Sequence, residues 1–166
     1  MTKRANRQRN NQTTVRAPIL ELRRILPLTA NQELTFDSYR RGFNLMLHGT
    51  AGTGKTFCAM YLALNGVLNS SSPYKKIVII RSVVPSRDMG FLPGSMKEKI
   101  AVYEEPYREI CSNLFGRDDA YEILKTKGII QFASTSFMRG VTFNDAIIIL
   151  DEAQNLELHE INTLIS

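Results

Sequence analysis

The chain has 166 residues, of which 43% are hydrophobic and 22% charged, proportions that exclude a largely disordered polypeptide and allow one hydrophobic core. The formal net charge of +5 is unevenly distributed, because residues 1–24 contain seven Lys or Arg and one Glu, whereas the other residues carry a net charge of −1. A strongly basic globular surface is therefore not expected.

The first element in chain order is a basic tail at residues 1–17, which lacks apolar periodicity and is predicted to be disordered. Its charges favour contact with RNA or single-stranded DNA through phosphate groups. The alternative is a solvated arm that only aids solubility. A folded domain is expected over residues 18–166.

Helical and strand patterns alternate in the first half of this domain. Helices are predicted for ILELRRIL (19–26) and for TANQELTFDSYRRG (29–42), the second with Thr29 as its N-cap. FNLML (43–47) is predicted to be a strand before a glycine-rich loop. The apolar stretch at 55–69 is typical of a helix packed on a sheet, and KKIVIIR (75–81) is typical of a buried strand.

The second half continues this alternation. Pro106 is expected to kink or divide its helix, and Gly128 to end the next one. The predicted elements are a loop (82–94), a helix (95–115), a helix (118–128), a strand (129–132), a loop (134–145), a strand (146–150) and a helix from residue 157.

Strands that alternate with helices indicate an α/β fold with a mostly parallel sheet and helices on both faces. The apolar runs are much shorter than the roughly 20 residues of a membrane-spanning helix, so no membrane span is expected. The N-terminus lacks the apolar centre of a secretory signal. Cys58 and Cys111 are predicted to be buried free thiols, which fits a cytoplasmic location.

The loop GTAGTGKT (49–56) matches the phosphate-binding pattern G-x-x-x-x-G-K-[ST] between a predicted strand and a predicted helix. Its backbone amides would surround a nucleotide phosphate, with Lys55 on the β and γ phosphates and the Thr56 hydroxyl on Mg²⁺. The alternative is a glycine-rich connection without a ligand. The predicted nucleotide-binding residues are Gly49, Thr50, Ala51, Gly52, Thr53, Gly54, Lys55 and Thr56.

An acidic pair, Asp151 and Glu152, follows the predicted strand at 146–150. Ligands of parallel sheets bind at the carboxyl ends of the strands, so Asp151 is predicted to hold Mg²⁺ and Glu152 to orient the attacking water. The alternative is a solvated pair that caps the next helix. Two adjacent acids favour hydrolysis of the triphosphate over transfer to a small acceptor.

A separate question is which base the bound nucleotide carries. The guanine-binding patterns N-K-x-D and T-K-x-D are absent, so a GTPase is disfavoured. A side-chain amide is able to read adenine, and Gln32 is the candidate. Its spacing from Thr29 fits a helix capping box equally well.

Three stretches, RSVVPSRDMGFLPGSMKEKI (81–100), FMRGVTFNDAIIILDEAQN (137–155) and the phosphate loop, together resemble the PhoH family of P-loop ATPases of bacteria and their phages. The resemblance covers roughly residues 26–166. It implies a P-loop NTPase core like that of superfamily 1 helicases, Mg²⁺-dependent ATP hydrolysis in the cytoplasm, and action on RNA or single-stranded DNA. Family members often complete sites across subunits, which implies a ring-shaped homo-oligomer.

The resemblance also implies roles for individual residues. Gln32 matches an adenine-contacting glutamine, and Lys55, Glu152 and Gln154 match catalytic positions. In related helicases the residue at the Gln154 position couples the γ-phosphate to nucleic-acid contacts. Arg139 and Gly140 match an M-R-G element. This arginine would contact phosphate or a neighbouring subunit, or alternatively would pair locally with Asp145.

The sequence departs from the family pattern beyond DEAQN (151–155), because it stops at Ser166. Relatives continue through further strands, one of which lies between the phosphate-loop strand and the acidic-pair strand, so the sheet is expected to lack its last strands. The alternative to an ATPase is therefore a non-catalytic nucleotide- or RNA-binding fragment that needs a partner to complete its site.

Overall fold

The computed structural model describes residues 20–81, 96–134 and 142–165. The predicted tail, the loop at 82–94 and most of the loop at 134–145 lie outside these ranges. The elements are α1 (Ala30–Arg40), α2 (Lys55–Leu68), β1 (Lys76–Arg81), α3 (Met96–Phe115), α4 (Ala120–Thr126), β2 (Ile130–Ser134), β3 (Ala146–Asp151), a 3₁₀ turn (Ala153–Asn155) and α5 (Leu158–Ile165).

The three strands of the described residues form one parallel sheet in the order β2-β1-β3. In this register Arg81, at the end of β1, lies beside Ser134 on one side and Asp151 on the other. The carboxyl ends of the strands therefore meet at one edge of the sheet. This confirms the prediction of an α/β fold with a parallel sheet.

The main core lies between one face of this sheet and helices α1 to α4. Ile77 and Ile79 of β1 are fully buried there, together with Ile130 of β2. The opposite face carries Val78 and Ile80 in a separate cluster, where the partly buried Phe143 packs against them. The prediction of helices on both faces thus stays a prediction, since α1 to α4 all contribute to the same core.

The helix predicted at 19–26 is wrong for its described part, because residues 20–27 form no regular secondary structure. Leu20, Leu22 and Ile25 instead pack against the main core. The Arg23 amide donates to the carbonyl of Leu114 at 2.9 Å, near the C-terminus of α3. Contacts to a helix distant in sequence override local helical propensity here.

The strand predicted at 43–47 is also wrong, because these residues have no strand assignment. A β-strand is defined by hydrogen bonds to a neighbouring strand, and none of the described strands pairs with this segment. Phe43 and Met46 are 55% and 92% exposed, and Ile148 of the edge strand β3 is 38% exposed. Only Leu45 of the segment packs against the main core.

The other predicted elements are confirmed with small changes in their bounds. Thr29 caps α1 by accepting the amide of Gln32 at 3.3 Å. Pro106 does not divide α3 and is exposed on it, while the alternative of a kink stays a prediction. Cys58 and Cys111 are buried free thiols. Within the described ranges, no helix combines the length and hydropathy that a bilayer crossing requires.

Candidate functional site

The loop at 49–56 turns the chain sharply into the first residue of α2. Gly52 and Gly54 have φ angles of +77° and +78°, a left-handed conformation that glycine adopts without the steric penalty of a side chain. Gly54 is the N-cap of α2, so the loop leads directly into the helix N-terminus. The hydroxyl of Thr53 donates to the carbonyl of Thr50 at 2.9 Å and closes the turn.

The ammonium group of Lys55 folds back over this loop. Its Nζ atom donates to the carbonyl of Gly49 at 3.0 Å and to that of Thr50 at 2.7 Å. An ammonium has three donors, so these two bonds leave one proton for an anion. The N-terminus of α2 adds the positive end of a helix dipole at the same place. The loop thus combines a fixed cation with backbone donors.

The two predicted metal-holding residues meet although they are distant in sequence. The Thr56 hydroxyl at the start of α2 donates to Asp151 Oδ1 at the end of β3 over 3.2 Å. Lys55 and Asp151 therefore belong to the same rim of the sheet. Hydroxyl and carboxylate oxygens are hard ligands of the kind that Mg²⁺ takes, usually with phosphate oxygens and water completing its shell. The residues present fit such a cation.

No group of three His, Cys, Asp or Glu side chains comes together among the described residues. A Mg²⁺ ion bound with a nucleotide does not need one, because one or two carboxylates normally suffice beside the phosphates.

A tyrosine that sequence reasoning missed completes the surroundings of Asp151. Tyr107 of α3 is fully buried, and its hydroxyl donates to Asp151 Oδ2 at 2.7 Å. Burial, followed by the hydrogen bond and negative charge of Asp151, raises the pKa of Tyr107 far above its ordinary value, so the hydroxyl stays protonated. In the sequence this residue is indistinguishable from a core aromatic on a helix.

Glu152 follows Asp151 in an unusual backbone conformation. Its φ and ψ angles are 52° and 41°, and it is the N-cap of the 3₁₀ turn. Left-handed geometry is uncommon for a residue with a side chain, and active sites and switch regions are among the places where it clusters. The side-chain amide of Gln154 donates to Glu152 Oε2. The two residues predicted to act after the acidic strand are thus in direct contact.

Gln32 lies beside the phosphate loop and also takes part in helix capping. Its Nε2 atom is 3.7 Å from the position that a Cβ atom at Gly54 would occupy. Its Oε1 atom accepts the amide of Leu28 at 2.8 Å, one residue before the N-cap Thr29. The side chain thus bonds the amide before the N-cap rather than the Thr29 amide that a capping box would use, and the adenine contact stays a prediction. Arg139 and Gly140, in contrast, lie outside the described residues.

The comparisons with known proteins agree on one family. Residues 24–166 match the family model described as PhoH-like protein. A PhoH-like protein of Bacillus subtilis is 43% identical over 108 residues, which are 64% of this chain and 33% of that protein.

A PhoH-like protein of Mycobacterium leprae is 36% identical over 132 residues, which are 79% of this chain and 37% of the Mycobacterium leprae protein. Protein PhoH of Escherichia coli K12 is 34% identical over 110 residues, 65% of this chain and 30% of the relative. The chain thus spans about a third of the length of these curated relatives. Because the family model matches most of its residues, the chain belongs to the PhoH-like family.

Proposed function

We propose that this chain binds Mg²⁺·ATP in the loop at 49–56 and forms part of an ATPase. The observation that carries this proposal is the 3.2 Å contact between the hydroxyl of Thr56 and the carboxylate of Asp151. It joins the two hard oxygen ligands beside a loop built for an anion. A glycine-rich connection without a ligand would have no need of that contact.

Each residue has a role that follows from its position. Backbone amides at the start of α2 bind phosphate oxygens, and Lys55 neutralises the charge on the β and γ phosphates. Thr56 and Asp151 would hold the cation. When bound, Mg²⁺ would supply positive charge that offsets the negative charge developing during phosphoryl transfer.

The hydrolytic step is assigned to the strained turn after β3. Glu152 accepts a hydrogen bond from Gln154, which orients its carboxylate. In the proposed reaction this carboxylate orients a water in line with the γ-phosphate and accepts its proton. The water oxygen bonds to the γ-phosphorus as the bond to the β–γ bridging oxygen breaks, which releases ADP and inorganic phosphate. Gln32, whose amide lies beside Gly54, is proposed to contact adenine.

The test measures ATP affinity by calorimetry, with Mg²⁺ and with EDTA. Lys55→Ala is expected to weaken ATP binding by about 10- to 100-fold, since hydrogen bonds to charged groups contribute about 1.5–3 kcal/mol. Lys127→Ala is the matched control, because Lys127 is exposed at the end of α4. Equal affinities for the two variants would refute a nucleotide site at the loop.

Hydrolysis is tested separately from binding. Glu152→Gln is expected to keep ATP affinity and to abolish phosphate release, because the amide cannot accept a proton from water. The measurement is made on this chain and on a longer PhoH-like relative carrying the equivalent substitution. Unchanged phosphate release in the variant would remove Glu152 from the proposed role.

We further propose contact with RNA or single-stranded DNA through the basic residues of the tail. The observation that favours it is the concentration of positive charge in residues 1–24. A helicase-like core and a ring-shaped assembly belong to the same proposal for the longer relatives.

A further inference from the structure

The carboxylate of Asp151 is held at both oxygens by hydroxyl groups from different helices. Thr56 of α2 donates to Oδ1, and Tyr107 of α3 donates to Oδ2 at 2.7 Å. A terminal carboxylate otherwise rotates over a broad range of χ2 angles. Two donors on opposite oxygens fix that rotation, and one of them, Tyr107, lies outside the phosphate loop.

The tyrosine that supplies the second donor is itself held rigidly. Tyr107 is fully buried, and its ring packs against that of Phe132 in β2 with centroids 5.8 Å apart. Arg81 lies beside Asp151 in the register of the sheet, near enough for its charge to act on the Tyr107 hydroxyl. Burial and the contact with Phe132 therefore hold the ring in place.

From this arrangement we infer that Tyr107 is a positioning residue, which orients the Asp151 carboxylate for the cation of a bound Mg²⁺·nucleotide. The inference rests on the proposed function. Groups that hydrogen-bond a ligating side chain fix its orientation, and their removal commonly lowers metal affinity by about 10- to 100-fold. Tyr107 does not touch the nucleotide and acts only through Asp151.

A purely structural role would have a different signature. If the hydroxyl only satisfied a buried carboxylate, its removal would lower stability and would change ATP affinity equally with and without a divalent cation. If Tyr107 positions Asp151, its removal changes only the part of the ATP affinity that depends on the cation. The ratio of ATP affinity in Mg²⁺ to that in EDTA therefore separates the two roles.

The experiment compares Tyr107→Phe with Tyr121→Phe in the full chain. Tyr121 is the matched control, since it is equally buried in α4 and its hydroxyl lies beside Glu104 rather than Asp151. Mn²⁺ binding in the presence of ATP is followed by electron paramagnetic resonance, and ATP affinity in EDTA by calorimetry. Tyr107→Phe is expected to lower Mn²⁺ affinity by about 10-fold and to leave ATP affinity in EDTA unchanged. Tyr121→Phe is expected to change neither.

A double-mutant cycle with Asp151→Asn tests the route of the effect. In the Asp151→Asn background, Tyr107→Phe is expected to cause no further loss of Mn²⁺ affinity, because the group it positions is gone. An equal loss in both backgrounds would overturn the inference. Should Tyr107→Phe fold poorly, Phe132→Leu loosens the packing against the Tyr107 ring and is expected to lower Mn²⁺ affinity in the same direction. A Phe132→Leu protein with wild-type Mn²⁺ affinity would contradict the inference.

The outcomes distinguish this inference from the proposed function. If wild-type protein shows no cation-dependent ATP binding, the proposed site fails and the inference fails with it. If wild type shows that dependence and Asp151→Asn loses it while Tyr107→Phe retains it fully, the site stands and Tyr107 has no positioning role.

Discussion

At the scale of single residues, the site uses backbone conformations that ordinary side chains avoid. Gly52 and Gly54 supply left-handed backbone at the loop, where glycine is the residue that adopts it most easily. Glu152 adopts the same region with φ at 52° although it has a side chain. Left-handed geometry costs a residue with a Cβ atom roughly 1–2 kcal/mol, so the fold maintains Glu152 at the expense of stability.

A pair of substitutions isolates that backbone strain. Both Glu152→Gly and Glu152→Ala remove the bond from Gln154, but only glycine relieves the left-handed geometry. The glycine variant is expected to be more stable than the alanine variant by about 1 kcal/mol. Urea denaturation with a two-state fit measures the difference. Equal urea midpoints and equal denaturant slopes for the two variants would show that the backbone of Glu152 carries no strain in solution.

At the scale of elements, α2 connects the phosphate loop to the rest of the fold through a close approach. A Cβ atom at Gly66 would lie 2.6 Å from the hydroxyl of Tyr39 in α1 and 2.9 Å from Cδ1 of Ile147 in β3. A glycine inside a helix lowers helix stability relative to alanine. Gly66 therefore allows α1 and β3 to pack against the same stretch of α2, at some cost in helix propensity.

The substitution Gly66→Ala is expected to destabilise the protein by about 1 kcal/mol, because overpacking of about 1–3 kcal/mol outweighs the gain in helix propensity. Tyr39→Phe removes the closest atom, so Gly66→Ala should cost less in that background. Asn65→Ala is the control, as Asn65 is exposed on the same helix and should gain slightly in stability. Thermal unfolding followed by circular dichroism measures these two variants, Tyr39→Phe, the Gly66→Ala/Tyr39→Phe double variant and the wild type. Stabilisation by Gly66→Ala would show that the ends of the Tyr39 and Ile147 side chains move aside at a cost smaller than the gain in helix propensity.

At the scale of the whole molecule, the net positive charge and the candidate site lie in different parts of the sequence. Residues 1–24 carry a net charge of +6, and the remaining residues, which contain the phosphate loop and the acidic pair, carry −1. Attraction to a polyanion therefore comes mainly from the N-terminal segment. Nucleotide binding and nucleic-acid binding are expected to be separable for this reason.

Deletion of residues 1–17 tests this separation. The deletion removes five Lys or Arg and no acid. Affinity for single-stranded RNA is expected to fall, and so is its dependence on salt, because each phosphate contact contributes about 0.7 to the slope of log K against log salt. ATP affinity should be unchanged, which serves as the internal control. Fluorescence anisotropy titrations at several salt concentrations measure the slope, and an unchanged slope would locate RNA binding elsewhere.

Much of the fold could be predicted from the sequence because the signals that specify it lie among residues close together in the chain. The glycine and lysine pattern of the loop, the cap at Thr29, and the β-branched runs that form β1 and β3 each depend on neighbouring residues. Helix α1, helix α2 and the parallel strands accordingly lie where the patterns predicted them. Thr56 and Asp151 also meet as expected. Residues 43–47 form no strand, however, so the packing of α2 against the sheet, rather than a strand ahead of the loop, brings Thr56 to this edge.

Tertiary structure decided the features that depend on partners distant in sequence. Residues 20–26 are helical in pattern but are held without regular structure by contacts that include the C-terminal end of α3. Residues 43–47 have a strand pattern, yet form no strand because no described strand pairs with them. Tyr107 reaches Asp151 only through the packing of α3 against the sheet. Hydrogen-bond partners and packing neighbours are chosen by the fold as a whole, and no local pattern specifies them.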